Sequence, residues 1–321
     1  MATRSVRFGI VLPTRDFLMR GDQEGYRRAI AMATRAEALG YDSVWVGDSV
    51  VAKPRLEVFT TLAYVAACTQ RVGLGTAVLL APLREPVQLA YTMACLDLLS
   101  GGRTTFGIGL GGRDPASLHE YQSVGVDPAT RVSRLEEMLL LLRRLWTEER
   151  VSFAGRHFRL TEVTVLPRPV QPGGPRLLLS VGNAGRVSAR QARRVLTWGD
   201  GILPSRATPA EYRQAWAAIA AAAARHGRDV TTLEPGLYWT IHLDDDAARA
   251  AQEADEFLVG YYGPGRHWAA WWGPWGPARL LRERIDEYIA AGVRLFVVRF
   301  AAWDPLRQLE RFTEEVFAYY R

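Results

Sequence analysis

The feature that most limits what this chain can become is its rhythm. Short runs of β-branched and apolar residues alternate with longer stretches of helical period, the sequence form of repeated strand-helix units. Eight strand candidates occur: VRFGIVL (6–12), SVWVG (43–47), VGLGTAVLL (72–80), TTFGIGL (104–110), RLLLSV (176–181), GDGILPS (199–205), GLYWTIHL (236–243) and RLFVVRF (294–300). Between them lie amphipathic segments such as EGYRRAIAMATRAEALG, in which Ile30, Ala33, Ala36 and Leu39 share a face and Gly40 ends the helix. Eight units predict a single closed α/β domain over residues 1–321, a (β/α)8 or TIM barrel, because that fold takes about 250 residues plus insertions. The surplus falls in two places. One follows the fourth strand, at 111–175 with the linker PRPVQPGGP; the other lies between strands seven and eight, in GYYGPGRHWAAWWGPWGP.

Within GRTTFGIGLGG (102–112), Gly107, Gly109 and Gly112 match the dinucleotide-loop spacing G-x-G-x-x-G, and Asp127 follows about 20 residues after Gly107. A true loop of that kind places its glycines after the strand and opens straight into a helix. Here Gly107, Gly109 and Gly111 alternate with Phe106, Ile108 and Leu110, so they belong to one face of the strand itself. The Asp114-Pro115 and Asp127-Pro128 turns that follow also delay the next helix. The match is therefore not a Rossmann loop. Glycines facing a barrel lumen leave room over which something flat can lie.

The formal net charge of +6 is spread over scattered arginine pairs interleaved with acids, and Lys53 is the only lysine. No basic cluster with interleaved aromatics is present, so no nucleic-acid partner is expected. The apolar run near the start is too short for a signal peptide, and no run reaches membrane-spanning length, so the expectation is a cytoplasmic protein with no membrane contact. Cys68 and Cys95 lie in apolar helix-like segments without metal or redox spacing and read as core residues. The five histidines show no ligand spacing, and no metal is expected; His119 and His242 are the two placed nearest the barrel mouth.

In the same order along the chain, AEALGYDSVWVGDS, RVGLGTAVLLAPLREPVQLA, LDLLSGGRTTFGIGLGG, GDGILPS and IDEYIAAGVRLFVVRF resemble the bacterial luciferase-like superfamily of flavin- and deazaflavin-dependent oxidoreductases. The resemblance implies reduced FMN, or the deazaflavin coenzyme F420, at the C-terminal mouth of the strands. It implies a non-prolyl cis peptide at Ala77-Val78, with Asp48, Gly109 and Gly111 also on the cofactor side. It places the cofactor phosphate at SVGNAGR, on Gly182, Asn183, Gly185 and Arg186, with a second contact from Ser205; backbone N–H groups at a helix start and one guanidinium suit such a dianion. A homodimer is expected on the same ground.

The departures from the family pattern bear on chemistry. Sugar-phosphate dehydrogenases of the deazaflavin branch carry a histidine where this chain has Ser49, and a glutamate where it has Gly112, next to Arg113. Proton abstraction from a sugar hydroxyl needs a base within reach, which Ser49 alone does not supply. The expectation is therefore a two-component monooxygenase using reduced FMN from a separate flavin reductase, with O2 and a small organic substrate. Ser49 and Arg113 are its catalytic candidates, and Arg299, Trp239 and Trp272 its substrate contacts. A deazaflavin-dependent reductase acting on an imine, enone or pterin is the alternative, and a non-catalytic flavin-binding accessory protein the third. Asp48 is equally read as a turn cap, and Arg299 as a buried ion-pair partner.

The segment HWAAWWGPWGP holds Trp268, Trp271, Trp272 and Trp275, broken by Gly-Pro pairs that rule out a long helix. Three roles suit it: an aromatic lid over the mouth, a subunit interface, or packing over a barrel end.

Overall fold

A computed structural model describes residues 6–182, 185–264, 267–270 and 272–321. All eight strand candidates form strands: β1 (Arg7–Val11), β2 (Ser43–Val46), β3 (Gly73–Leu79), β4 (Thr104–Ile108), β5 (Arg176–Leu179), β6 (Gly201–Ile202), β7 (Glu234–Leu243) and β8 (Leu295–Phe300). Neighbours pair in parallel from β1 through β6, β8 pairs with both β1 and β7, and β6 with β7, which closes the barrel. Besides a short helix at Asp16–Arg20, the helices of the described residues are α1 (Tyr26–Ala38), α2 (Val58–Cys68), α3 (Pro86–Leu99), α4 (Pro115–Ser123), α5 (Arg131–Thr147), α6 (Ala189–Trp198), α7 (Pro209–Arg225), α8 (Ala247–Tyr262), α9 (Ala278–Ala290) and α10 (Pro305–Glu315). None of the described helices is long and apolar enough to cross a membrane.

Strand parity sorts the side chains into two layers. Ile10, Val44, Val46, Leu74, Leu237, Trp239, Ile241, Phe296 and Val298 join the large core between barrel and helices. Their neighbours of opposite parity form a smaller cluster in the lumen, with Trp45, Leu178, Leu203, Leu295 and Val297 fully or almost fully buried and Tyr238 and Val78 packed on them. An indole fits in so narrow a space because Gly9 and Gly75 face it. A Cβ at Gly9 or Gly75 would fall 2.3 or 2.2 Å from the Trp45 ring, far inside van der Waals contact. The indole N–H is satisfied within the same strand by Ser43 Oγ at 2.7 Å.

The insertion after β4 contains α4, α5 and an antiparallel hairpin of Val151–Ala154 with Arg159–Val163, a pair that the alternating pattern alone did not announce. The helix starts carry the chemistry their sequences encode. Ser188 with Gln191 and Thr208 with Glu211 form reciprocal capping boxes on α6 and α7. Cys68 corrects the sequence reading: it is exposed at the last turn of α2, and Cys95 is half-buried on α3. Helix faces, not apolar context alone, decide which residues reach the core.

Candidate active site

The C-terminal ends of the strands surround a cavity of about 210 Å³. Ala77 and Val78 line it, and the peptide bond between them is cis, as the resemblance implied. Gly111, in a left-handed turn at φ 69°, and Gly112 form its rim beside Ser180 and Ser205.

Gly107 and Gly109 have a different role from the one expected. A Cβ at Gly107 would lie 2.3 Å from the Thr76 carbonyl oxygen and 2.8 Å from Leu203 Cδ2; one at Gly109 would lie 2.4 Å from Val78 Cγ2. The strip is therefore already filled, by the β3 bulge and by Leu203. Gly109 permits the bulge and does not itself line the cavity.

On the β2 side the polar groups answer one another. Asp48, whose side chain is 4% exposed, accepts two hydrogen bonds from Arg84 at 2.6 and 3.0 Å and one from the Leu80 amide at 2.9 Å. It is thus a buried ion-pair partner that fixes the end of β3, while still lining the cavity. Ser49 donates to Glu120 Oε1 at 2.7 Å and accepts from the Lys53 amide at 2.8 Å. The same carboxylate oxygen accepts the amides of Val50, Val51 and Ala52 at 2.6, 2.8 and 3.2 Å. Glu120, buried on α4, thereby holds the whole loop after β2. This acid was missed in the sequence because it is brought back by a helix two units later. Its hydrogen bonds make it a structural anchor more than a free base.

On the β7 and β8 side the charges are less well matched. Arg299 is 5% exposed; its Nε donates to Thr240 Oγ1 at 3.2 Å and its Nη1 to the Tyr262 hydroxyl at 2.7 Å, while Nη2 is buried without a partner among the described residues. Its guanidinium carbon lies 4.8 Å from the Trp272 ring centre and 5.2 Å from that of Tyr261, within cation–π range. Arg15 and Arg55 approach the Tyr261 ring as well, at 4.9 and 5.6 Å. Gly47 makes room for Arg55, since a Cβ there would meet Arg55 Nη1.

These guanidiniums set the titration of their neighbours. Burial pushes the Tyr261 phenol up, but Arg55, Arg299 and Arg15 together outweigh it and hold the phenol below its ordinary value. Burial pushes the Asp16 carboxyl up to about 6 even though Arg299, Arg55 and Arg15 pull it down. Tyr238, also in the lumen, is pushed well up by burial.

Several expected site residues fall elsewhere. Trp239 does not line the cavity: it is 2% exposed and packs edge-on against Tyr288 and Phe296 behind the strand. Its neighbour Tyr238 faces the cavity instead, because a one-residue change of position along a strand reverses the face. Arg113 is exposed and does not line the cavity; the chain turns outward toward the Asp114 cap of α4. Gly182 and Gly185 take the left-handed conformation at φ 73°, and neither they nor the exposed Arg186 line the cavity. Gly185 packs instead against the first turn of α7, where a Cβ would lie 2.9 Å from the Glu211 carbonyl oxygen. The next helix starts only at Ala189, and its capping box occupies the Ser188 and Gln191 amides. Asn183, like Trp271, lies outside the described residues. His119 is exposed on α4, and His242 is buried outside the lumen with Nδ1 2.9 Å from the Ala301 carbonyl.

The Trp-rich segment supplies one wall of the cavity. Trp272 stacks on Tyr262 with ring centres 6.2 Å apart and meets Tyr238 edge-on, and its indole N–H is buried without a partner among the described residues. Trp268 packs on Tyr262, and Trp275 donates to the Ala269 carbonyl at 2.8 Å.

A closed parallel barrel with a mixed apolar and hydroxyl-bearing cavity at its C-terminal mouth, next to a cis-peptide bulge, defines a TIM-barrel protein with its site where barrel enzymes place theirs. The family model of luciferase-like monooxygenases matches residues 6–271, and the chain belongs to that family. An F420-dependent glucose-6-phosphate dehydrogenase from Kineococcus radiotolerans is 40% identical over 169 residues, 48% of this chain and 49% of the relative. The chain thus spans about half the length of that curated relative, as it does for the similar enzyme of Amycolatopsis mediterranei, at 35% identity and 53% of its length. An F420-dependent hydroxymycolic acid dehydrogenase from Mycobacterium tuberculosis is 34% identical over 70% of this chain and 62% of its own. Among solved structures, a monooxygenase from Streptomyces bottropensis superposes with TM-score 0.81 at 23% identity, covering 98% of this chain and all of the other. That likeness concerns the fold.

Proposed function

We propose that this protein is a deazaflavin-dependent oxidoreductase that moves hydride to or from a small organic substrate, the reading given second place on the sequence alone. The observation that carries it is the cofactor of its sequence relatives, which are F420-dependent. The cavity suits the flat ring of such a coenzyme. The β3 bulge at Ala77-Val78 and the glycine rim at Gly111 and Gly112 line one side of it, and Ser180 and Ser205 offer hydroxyls at its edge.

When bound, the coenzyme supplies the hydride chemistry, and the chain supplies orientation, dryness and a proton. Tyr238, Tyr262 and Trp272 wall the cavity with aromatic surface and limit water access. Tyr261 lines the same cavity, and its phenol, held low by three guanidiniums, exchanges a proton with the substrate oxygen or nitrogen. Sugar-phosphate oxidation of the kind named for the relatives is not assigned, because Ser49 and Gly112 stand where that chemistry has its histidine and glutamate, and Glu120 is engaged by the β2 loop.

The deciding experiment is a pair of anaerobic fluorescence titrations, one with the deazaflavin coenzyme and one with reduced FMN. Saturable binding of the deazaflavin alone is expected. Binding of reduced FMN alone, followed by substrate-dependent oxygen uptake, overturns this reading in favour of the FMN-dependent monooxygenase.

A further inference from the structure

We infer that a second, smaller compartment of the mouth seats a carboxylate, so that the substrate is a small carboxylic acid. This deepens the function proposed above and rests on it only for the reaction that takes place in the adjoining cavity.

A recess of about 30 Å³ lies between the ends of β1, β7 and β8. It shares Gly47, Arg55, Ala77, Tyr238 and Tyr261 with the larger cavity and therefore communicates with it. Three guanidiniums, from Arg15, Arg55 and Arg299, line it, and Asp16 is the one carboxylate among its described lining residues. Two of those arginines end in buried nitrogens without an acceptor among the described residues, Arg15 Nη1 and Arg299 Nη2. Buried N–H donors are almost always paired, and those of a guanidinium bind a carboxylate through two parallel bonds. The arrangement is a set of donors matched to a carboxylate.

Size and charge select the guest. A water-sized atom needs roughly 10–15 Å³ measured this way, so the recess holds about two, the oxygens of a carboxylate and not the four of a phosphate. The apolar walls from Leu12, Phe257 and Phe300 strengthen the electrostatic attraction by excluding water. A carboxylate seated here leaves the rest of a short substrate facing Tyr261 and the β3 bulge, the two elements common to both compartments.

The test uses the cofactor-free full-length protein, titrated with propionate, propionamide and inorganic phosphate, with intrinsic tryptophan fluorescence as readout. Saturable binding of propionate alone is expected. Arg299→Met weakens it at least about tenfold, as loss of a charge-assisted hydrogen bond does. Because Arg299 is buried, the half-buried Arg15→Gln repeats the test in a variant checked for native circular dichroism, and the exposed Arg225→Met serves as control. Saturation by phosphate in place of propionate, no saturation by either anion, or propionate binding unchanged in folded Arg15→Gln overturns the inference. Deazaflavin binding, measured on the same samples, separates the two claims: its absence with intact propionate binding defeats the cofactor reading alone.

Discussion

The two halves of the barrel mouth carry charge in opposite ways. On the β2 side, Asp48 is paired with Arg84, and Glu120 is wrapped by Ser49 and three amides. On the β7 and β8 side, three guanidiniums crowd around Tyr261 with a single raised carboxyl, and buried donors of Arg15 and Arg299 lack acceptors among the described residues. A half whose polar groups satisfy one another holds shape. A half that leaves them unmatched is prepared for a ligand, because desolvated donors gain most from an acceptor that arrives later.

The comparison breaks first at Tyr261. Tyr261→Phe removes the proton-carrying hydroxyl and keeps the ring, so turnover falls by about 10²- to 10⁴-fold with coenzyme affinity retained, as single-turnover kinetics and a coenzyme titration measure together. An unchanged rate returns the chemistry to the other half.

Glu120→Ala tests the β2 side as architecture. It leaves the amides of Val50, Val51 and Ala52 without their shared acceptor and lowers stability by about 2–4 kcal/mol in urea unfolding. Loss of turnover without loss of stability would instead make Glu120 part of the chemistry.

A pH series on Asp16 sharpens the contrast. Its carboxyl is raised from an ordinary 3.8 to about 6 in the folded protein. The folded state thus holds the proton more tightly than the unfolded chain, and stability falls as pH rises through this window. Above about pH 6 both states are ionised, and the cost reaches roughly 3 kcal/mol at 1.36 kcal/mol per unit. Asp16→Asn is accordingly more stable than the parent at pH 7, and the gap closes toward pH 4. A gap that widens toward acid reverses the assignment.

The smallest effect belongs to Trp239→Phe. It trims a side chain packed behind the barrel and removes a buried N–H without a partner, so stability drops by about 1–2 kcal/mol and kcat/KM does not change. A substrate-dependent loss would restore Trp239 to the site.

The barrel was legible because strand and helix periods survive on every unit, and each of the eight strands appears where alternation placed it, down to the two residues of β6. The bulge at Ala77-Val78 came from resemblance to a family, since nothing in the spacing of those residues announces a cis bond. Faces were harder. In β7 the pattern Leu237, Trp239, Ile241 against Tyr238 and Thr240 already marks the polar parity at the mouth, and it favours Tyr238 over Trp239. Arg15, Arg55 and Tyr261 come from the loops after β1 and β2 and the end of α8, and only closure of the barrel brings them within reach of one another. Glu120 was hidden for the same reason: its partner loop lies 71 residues earlier in the chain at Ser49.

That long-range clasp has an engineering consequence. Barrel enzymes invite the exchange of βα loops as cassettes, each unit being treated as a separate part. Here the loop at Ser49 to Lys53 takes its form from a carboxylate supplied by α4, and in return shields that carboxylate. The second and fourth units are therefore one heritable piece: a transplant of either without the other delivers an unanchored loop or an unpaired buried acid.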